Sequence, residues 1–217
     1  SVVAIIGAGV SITLAINGFD LSVGAVAASS VMAASYAMIV LGLNAWQTVP
    51  LVLAFGALVG LANAFLIVRL KVPDLLATLA TMFLLTGLQL IPTAGRSISV
   101  GLILPDGSTA SGKYDPAFLT IGRSSLFGFI PLPVVLMAIV AVVLFILTEK
   151  TRLGRLIYAT GGNETAARLA GANVDRIKTF AYVLSGTLAA LGGIIVAARV
   201  GRGDVSSGAS LLMDSVA

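Results

Sequence analysis

Apolar positions in this chain run on continuously and rarely alternate with polar ones. Six stretches emerge at 2–16, 22–41, 49–68, 75–91, 131–148 and 179–198. A helix needs roughly 17–25 predominantly apolar residues to cross the hydrocarbon core, and all but the first stretch reach that length. A lipid-facing barrel would show short alternating strands instead. An open sheet in lipid leaves backbone groups unpaired at a cost of several kcal/mol each. The expected fold class is therefore all-α, a polytopic transmembrane helical bundle with about six spans.

The connections are NGFDL, GLNAWQT, RLKVPD, a long segment at 92–130, and 149–178, with a polar tail from Arg199. Arg69 and Lys71 lie in RLKVPD, and Lys150, Arg152, Arg155, Arg168, Arg176 and Lys178 lie in 149–178. Alternating spans put both connections on one side, which the positive-inside rule makes the cytoplasm. The other side holds Arg96, Lys113, Arg123, Arg199 and Arg202, a smaller number spread over more residues. Segment 92–130 then faces outward. Its turn signals are Pro105-Asp106-Gly107, Ser111-Gly112 and Asp115-Pro116, and its length predicts an ordered cap or a functional loop.

Composition agrees. Hydrophobic residues make up 58% and charged residues only 10%, against about 25% charged in soluble domains. Mean hydropathy is +1.08. The net charge of +4 sits beside the spans, where it orients them, so nucleic acid is not an expected partner and the lipid bilayer is. With no cysteine and no histidine, disulfides, thiol chemistry, His-bearing zinc sites and Ser-His-Asp catalysis are excluded. The first residues, SVVAIIGAGV, and the last, MDSVA, read as the ends of an internal fragment.

Polar residues at membrane depth are functional candidates by default. Asn17, Asp20 and Ser22 fall in NGFDLSVG, where Gly18 permits a chain break. Asp20 or Ser22 can cap the next helix, contact a solute or lock helices together. Asn63 and Gln89 have no easy local partner and want one on another helix or on a solute. Thr78, Thr81 and Thr86 are weaker evidence, because threonine can bond its own preceding turn. Gly56 and Gly60 form a GxxxG, and Ser185, Ala189, Gly192 and Gly193 crowd one helix. Both patterns predict close helix packing.

Within 149–178, Asn163 reads as an N-cap, Glu164 favours the positive helix end, and Gly171 suits a left-handed stop. Ala166, Leu169 and Ala170 share one small apolar face of this short helix. Arg168 lies beside it. The face suits a groove in a protein partner or, alternatively, a resting place on the membrane surface. No GxxxxGK[ST] occurs, so ATP is not bound here by a P-loop. There is no TVGYG filter, no row of S4-like arginines, and no pair of intramembrane carboxylates.

Three blocks, NGFDLSVG, GLANAFLIVRLKVPDLLATLATMFLLTGL and TRLGRLIYATGGNETAARLAGANVDRIKTFAYVLSGTLAALGGII, resemble in order the permease subunits of bacterial ABC importers for simple sugars such as ribose, xylose, arabinose and galactose. Segment 92–130 is longer and more polar than the resemblance implies. The resemblance implies one transmembrane permease domain over 1–217, truncated at both ends, multi-pass in the bacterial inner membrane. Segment 92–130 becomes a periplasmic loop and 149–178 a cytoplasmic coupling loop, with Asn163, Glu164, Ala166, Arg168, Leu169, Ala170 and Gly171 as the coupling helix. The implied function is monosaccharide import by alternating access. Its partners are a separate ABC ATPase subunit, a periplasmic sugar-binding protein and a second permease subunit, identical or related. The chain is then no enzyme and binds no cofactor itself; ATP and Mg2+ belong to the ATPase. Asn17, Asp20, Ser22, Asn63 and Gln89 are candidates for the solute path. The alternatives are a nucleoside or autoinducer importer of the same architecture, or an ion-coupled secondary carrier.

Overall fold

Each of the six apolar stretches coincides with a helix in the computed structural model, which describes residues 1–104 and 107–204. The apolar helices are α1 (Val2–Ala15), α2 (Val23–Ile39), α3 (Ala45–Ala64), α4 (Asp74–Leu88), α6 (Leu132–Phe145) and α9 (Val174–Val200). Between them lie the shorter α5 (Pro116–Arg123), α7 (Arg152–Gly162) and α8 (Glu164–Leu169). Helices α3 and α6 continue into single π turns at Phe65–Arg69 and Ile146–Lys150. Ala45–Arg69, Asp74–Thr93, Leu132–Lys150 and Val174–Val200 are long and apolar enough to cross a membrane. The only sheet among the described residues pairs two-residue strands, β1 (Ser125–Leu126) with β2 (Ile130–Pro131).

Helix α9 is the central post, packing on α1, α2, α3 and α5. Its small residues explain why. Ser185, Gly186, Ala189, Ala190, Gly192 and Gly193 leave room for neighbouring backbones, and in lipid, where apolar burial does not drive helices together, such close contact supplies the attraction. Gly56 and Gly60 of α3 lie against this post. A methyl group on Gly56 would collide with the Gly186 carbonyl, and one on Gly60 with the Tyr182 carbonyl. The GxxxG thus serves packing inside the bundle. Helix α2, rich in Ala and Ser, is buried along nearly its whole length, which lets it be shorter than a lipid-facing span. Helices α4 and α6 are the opposite: Leu76, Phe83, Leu84, Val142 and Phe145 are exposed, the surface expected against lipid tails. Trp46, 85% exposed at the start of α3, suits a membrane-interface belt.

Polar connections gather at two ends. At one, the Phe19 N–H donates to Asp74 Oδ2 at 2.6 Å, and α7 packs under α1. At the other, the Ala45 N–H donates to Asp115 Oδ2 at 2.8 Å, and Ile98 and Gly203 exchange two backbone hydrogen bonds at 2.7 and 2.8 Å. These amide donors, Ala45 first and then Ala117, hold the Asp115 carboxyl below its ordinary value. Arg123 donates to the Arg199 and Val200 carbonyls at 3.0 and 3.1 Å, where a cation favours a helix C-terminus.

Several local expectations change. Helix α3 starts at Ala45 because Asn44 and Gln47 form a reciprocal capping box there. Helix α9 starts at Val174, before the apolar run, because the Asn173 side chain accepts from the Arg176 N–H. Pro105 and Asp106 of one expected turn, and most of the polar tail (205–217), lie outside the described residues.

Candidate functional site

Helix α1 stops at Ala15, and Asn17, not Gly18, takes the left-handed backbone (φ +58°) that turns the chain. Asparagine tolerates this conformation because its short polar side chain can bond locally. The turn delivers Asp20 into the bundle. Its Oδ1 accepts from the Ser22 N–H at 3.0 Å and the Ser22 hydroxyl at 2.6 Å. Its Oδ2 accepts from the Ser185 hydroxyl of α9 at 2.8 Å. Ser22 Oγ in turn accepts from Asn63 Nδ2 of α3 at 2.9 Å. Asn63 Oδ1 accepts from Thr81 Oγ1 of α4 at 2.6 Å. All five residues are buried.

This chain ties the start of α2 to α3, α4 and α9, and its donors run toward the Asp20 carboxyl. Connected bonds of this kind polarise one another in a low-dielectric interior. Capping of α2 by Ser22 does not occur: its side chain makes no cap bond and is spent on Asp20. Of the roles open to Asp20 and Asn63 in the sequence, the drawn contacts are between helices. Thr81 and Ser185 were not singled out for this chain by pattern, since threonine has a local partner and Ser185 read as one more small packing residue.

Gln89 stands apart. It follows α4 and borders a separate cavity near the opposite end of α2, shared with Ser29 and Thr93. Asn17 borders a different cavity, of about 300 Å³, with Lys71, Asp74, Glu164, Asp175 and Lys178.

That last cavity adjoins the charged segment. Thr151 starts α7 by accepting from the Gly154 N–H at 3.2 Å. This helix was not foreseen, although Thr151 is a good N-cap; Gly154, Ile157 and Thr160 form its buried side. Asn163 then both ends α7 and starts α8, its Oδ1 accepting from the Ala166 N–H at 2.9 Å. Gly171, at φ +87°, turns the chain toward α9. Lys178 of α9 donates to Glu164 at 2.6 Å, and Arg168 bridges Glu164 at 3.1 Å and Asp175 at 2.8 Å. The Lys178 hydrogen bond, then Arg168, hold the Glu164 carboxyl below its ordinary value. Asp175 first, then Glu164, raise that of the Arg168 guanidinium. Ala167 is buried beneath α8, while Ala166, Leu169 and Ala170 face outward, Leu169 being 85% exposed. The pairing of Glu164 with Arg168 is legible as an i, i+4 step; the Asp175 and Lys178 partners require the turn at Gly171.

Residues 1–217 match the family described as the permease component of the branched-chain amino acid transport system. The chain belongs to this family. Among similar family proteins is the ribose import permease of Haemophilus influenzae, 39% identical over 218 residues, covering 100% of this chain and 64% of that protein. The ribose import permease of Bacillus subtilis is 37% identical, covering 98% of this chain and 62% of that protein. The L-arabinose transport system permease of Escherichia coli is 36% identical, over 94% of this chain and 57% of that protein. The chain thus spans somewhat under two thirds of the length of these permeases. No solved structure matches it. Like them it is a membrane permease component by family, and among the described residues no group of three or more acidic, His or Cys side chains could hold a metal.

Proposed function

We propose that this chain is the membrane-spanning part of an ATP-driven importer that moves a simple sugar across the bacterial inner membrane by alternating access. The observation that carries the reading is helix α8. It presents Ala166, Leu169 and Ala170 outward from the end of the bundle that bears eight of the 13 cations, and ion pairs tie it to the central post. Exposed apolar side chains on a short, capped, charged helix fit a groove on a protein. In a family of transport permeases, with named relatives that import ribose and arabinose, that protein is an ABC ATPase, which supplies the ATP and Mg2+ chemistry.

The remaining parts follow from this. The cation-rich end, with segment 149–178, faces the cytoplasm. Segment 92–130 faces the periplasm, where a sugar-binding protein docks. The uncovered apolar faces of α4 and α6 meet lipid or a second permease subunit. The chain contributes no ATPase site. Helix α8 does not move solute by itself: the ATPase must bind one bundle state more tightly than the other, or the equilibrium does not shift.

The test is uptake by the full-length transporter carrying Leu169→Asp and Ala166→Asp. Loss of ATPase association and of uptake, with the permease still in the membrane, is the expected result. Intact association and uptake would remove α8 from the coupling role.

A further inference from the structure

A groove of about 730 Å³ runs between the end of α3 and the start of α9, at the end of the bundle rich in cations. Two arginines stand at its mouth. Arg69 ends the span Ala45–Arg69, and Arg176 is the third residue of the span Val174–Val200. Both are exposed. Among the described residues neither guanidinium makes a hydrogen bond or an ion pair. Arg168, by contrast, is tied to two carboxylates. One of these is Asp175, the one acid among the described lining residues, which Arg168 already holds at 2.8 Å. Below the mouth the wall is apolar. Phe65 and Leu61 lie about one and two turns inward from Arg69, and Phe180 and Val183 about one and two turns inward from Arg176. Phe65 and Leu61 are 55% and 47% exposed, so the wall is open to whatever surrounds the bundle.

We infer that this groove binds an anionic phospholipid of the leaflet at the cation-rich end. Its phosphate sits between Arg69 and Arg176, and an acyl chain lies along Phe65, Leu61, Phe180 and Val183. The inference needs only the membrane spans and stands apart from the solute that is moved. Charge and depth together select this occupant. Two unpaired guanidiniums match a phosphate, which each can grip with two parallel donors. Basic pockets between spans on the cytoplasmic side suit anionic headgroups for this reason. A zwitterionic lipid brings its own cation to the mouth, where the arginines repel it. A water-soluble anion satisfies the arginines but leaves the apolar wall empty. A partner protein in the water reaches the mouth, but not residues two turns, roughly 11 Å, inside the span. Another membrane span covers the wall but strands two cations at its edge.

The two arginines belong to helices that pack closely at Gly56 and Gly60. One phosphate held by both ties the ends of α3 and α9 together where their spans leave the membrane. The same end of α9 carries Asp175 and Lys178, which hold α8. Lipid in the groove therefore steadies the post on which α8 rests.

The test reads the lipid tail. This chain has a single tryptophan, Trp46, so Phe65→Trp with Trp46→Phe puts one reporter in the wall of a full-length permease otherwise free of tryptophan. The permease is held in nanodiscs of phosphatidylcholine with a graded fraction of phosphatidylglycerol, and one lipid at a time carries brominated tails. Brominated phosphatidylglycerol is expected to quench the reporter at a mole fraction roughly twentyfold below that needed for brominated phosphatidylcholine. Arg69→Gln and Arg176→Gln should each lower that preference about fivefold, the effect of one cation near an anionic surface, and together they should bring the two lipids near parity. Arg152→Gln with Arg155→Gln, in the same cation-rich segment but outside the groove, should leave the preference unchanged. Leu61→Trp is the second reporter if Phe65→Trp fails to assemble. Equal quenching by the two lipids before any arginine is changed would overturn the proposal. So would a loss of preference that the Arg152 and Arg155 pair reproduces, because it marks a diffuse field without a site. A reporter that neither lipid quenches would show the wall covered by protein, a further span or a second permease subunit, with the same consequence.

Discussion

Two polar networks of similar size sit at opposite extremes of burial. Asp20, Ser22, Asn63, Thr81 and Ser185 are sealed inside the bundle, while Glu164, Arg168 and Asp175 lie at its surface, with Lys178 partly covered. The buried network contains one acidic group and otherwise neutral donors and acceptors. The surface network is made wholly of full charges. Burial explains the choice. A neutral hydrogen bond inside the bundle has no water to compete with it, and leaving a buried donor unpaired costs about 1–3 kcal/mol. A surface ion pair competes with water and salt and contributes about 0–1 kcal/mol. The first network therefore fixes which helices touch. The second orients α8 on α9 but can exchange partners at little cost, a useful property in a part proposed to be moved by another protein.

The sharpest way to break this contrast is at Asp20. Its removal as Asp20→Ala leaves the Ser22 N–H, the Ser22 hydroxyl and the Ser185 hydroxyl without their acceptor. A destabilisation of about 3 kcal/mol or more is expected, since each buried donor left alone costs ~1–3 kcal/mol. Asp20→Asn retains one acceptor oxygen and places an amide donor against Ser185 Oγ, so its cost should be nearer ~1 kcal/mol, the worth of a single hydrogen bond. Thermal unfolding of the full-length permease in nanodiscs reads both. Equal stability of Asp20→Ala and wild type would mean that the buried network does not hold the bundle.

Most of the helix count was legible in the chain because spanning lipid demands long uninterrupted apolar runs, and those cannot be hidden. The short helix α8 was legible too: an asparagine cap, a glutamate in the first turn and a glycine stop are local chemistry. Contacts across the bundle were not. Asn63 advertised that it needed a partner, but nothing in the pattern selected Ser22 on one side and Thr81 on the other, residues 41 and 18 positions away. Ser185 was hidden for a physical reason, because a residue small enough to let helices approach looks the same whether or not its hydroxyl is used. Helix α7 was missed because its apolar side is only Gly154, Ile157 and Thr160, too weak a stripe to stand out among arginines.

The surface network calls for a functional readout, because its contribution to stability is small. Glu164→Lys places a second cation beside Lys178, with a third, Arg168, within reach. Stability should fall by no more than about 1 kcal/mol, as for other exposed pairs. Under the proposed function, the uptake obtained per ATP hydrolysed should fall much further, because α8 is then held to α9 only through Arg168 and Asp175. Adding Lys178→Glu restores an opposite pair across the same gap and is expected to recover much of that ratio. A merely structural role predicts no such recovery of the ratio, only parallel losses of protein and uptake. If Glu164→Lys leaves the ratio unchanged in the assembled transporter, the ion pairs do not transmit motion.

The smallest expected effect is on pH, and its direction is set by Glu164. The Lys178 hydrogen bond, followed by Arg168, holds its carboxyl below the ordinary value of 4.5, so the folded chain favours the charged form more than the unfolded chain does. The linked stabilisation is therefore complete above the ordinary value and disappears only as pH falls through the lower, folded value. Asp175 faces the same Arg168, whose hydrogen bond likewise holds its carboxyl below the ordinary value. A spin-label distance between α8 and the middle of α9 should then stay constant from neutral pH down to about pH 4.5 and lengthen only below it. In Glu164→Gln the remaining change should be shallower, carried by Asp175 alone. Loosening of α8 already near neutral pH would show that Glu164 is not held by its cations, and the surface network would lose its distinction from a set of independent solvated charges.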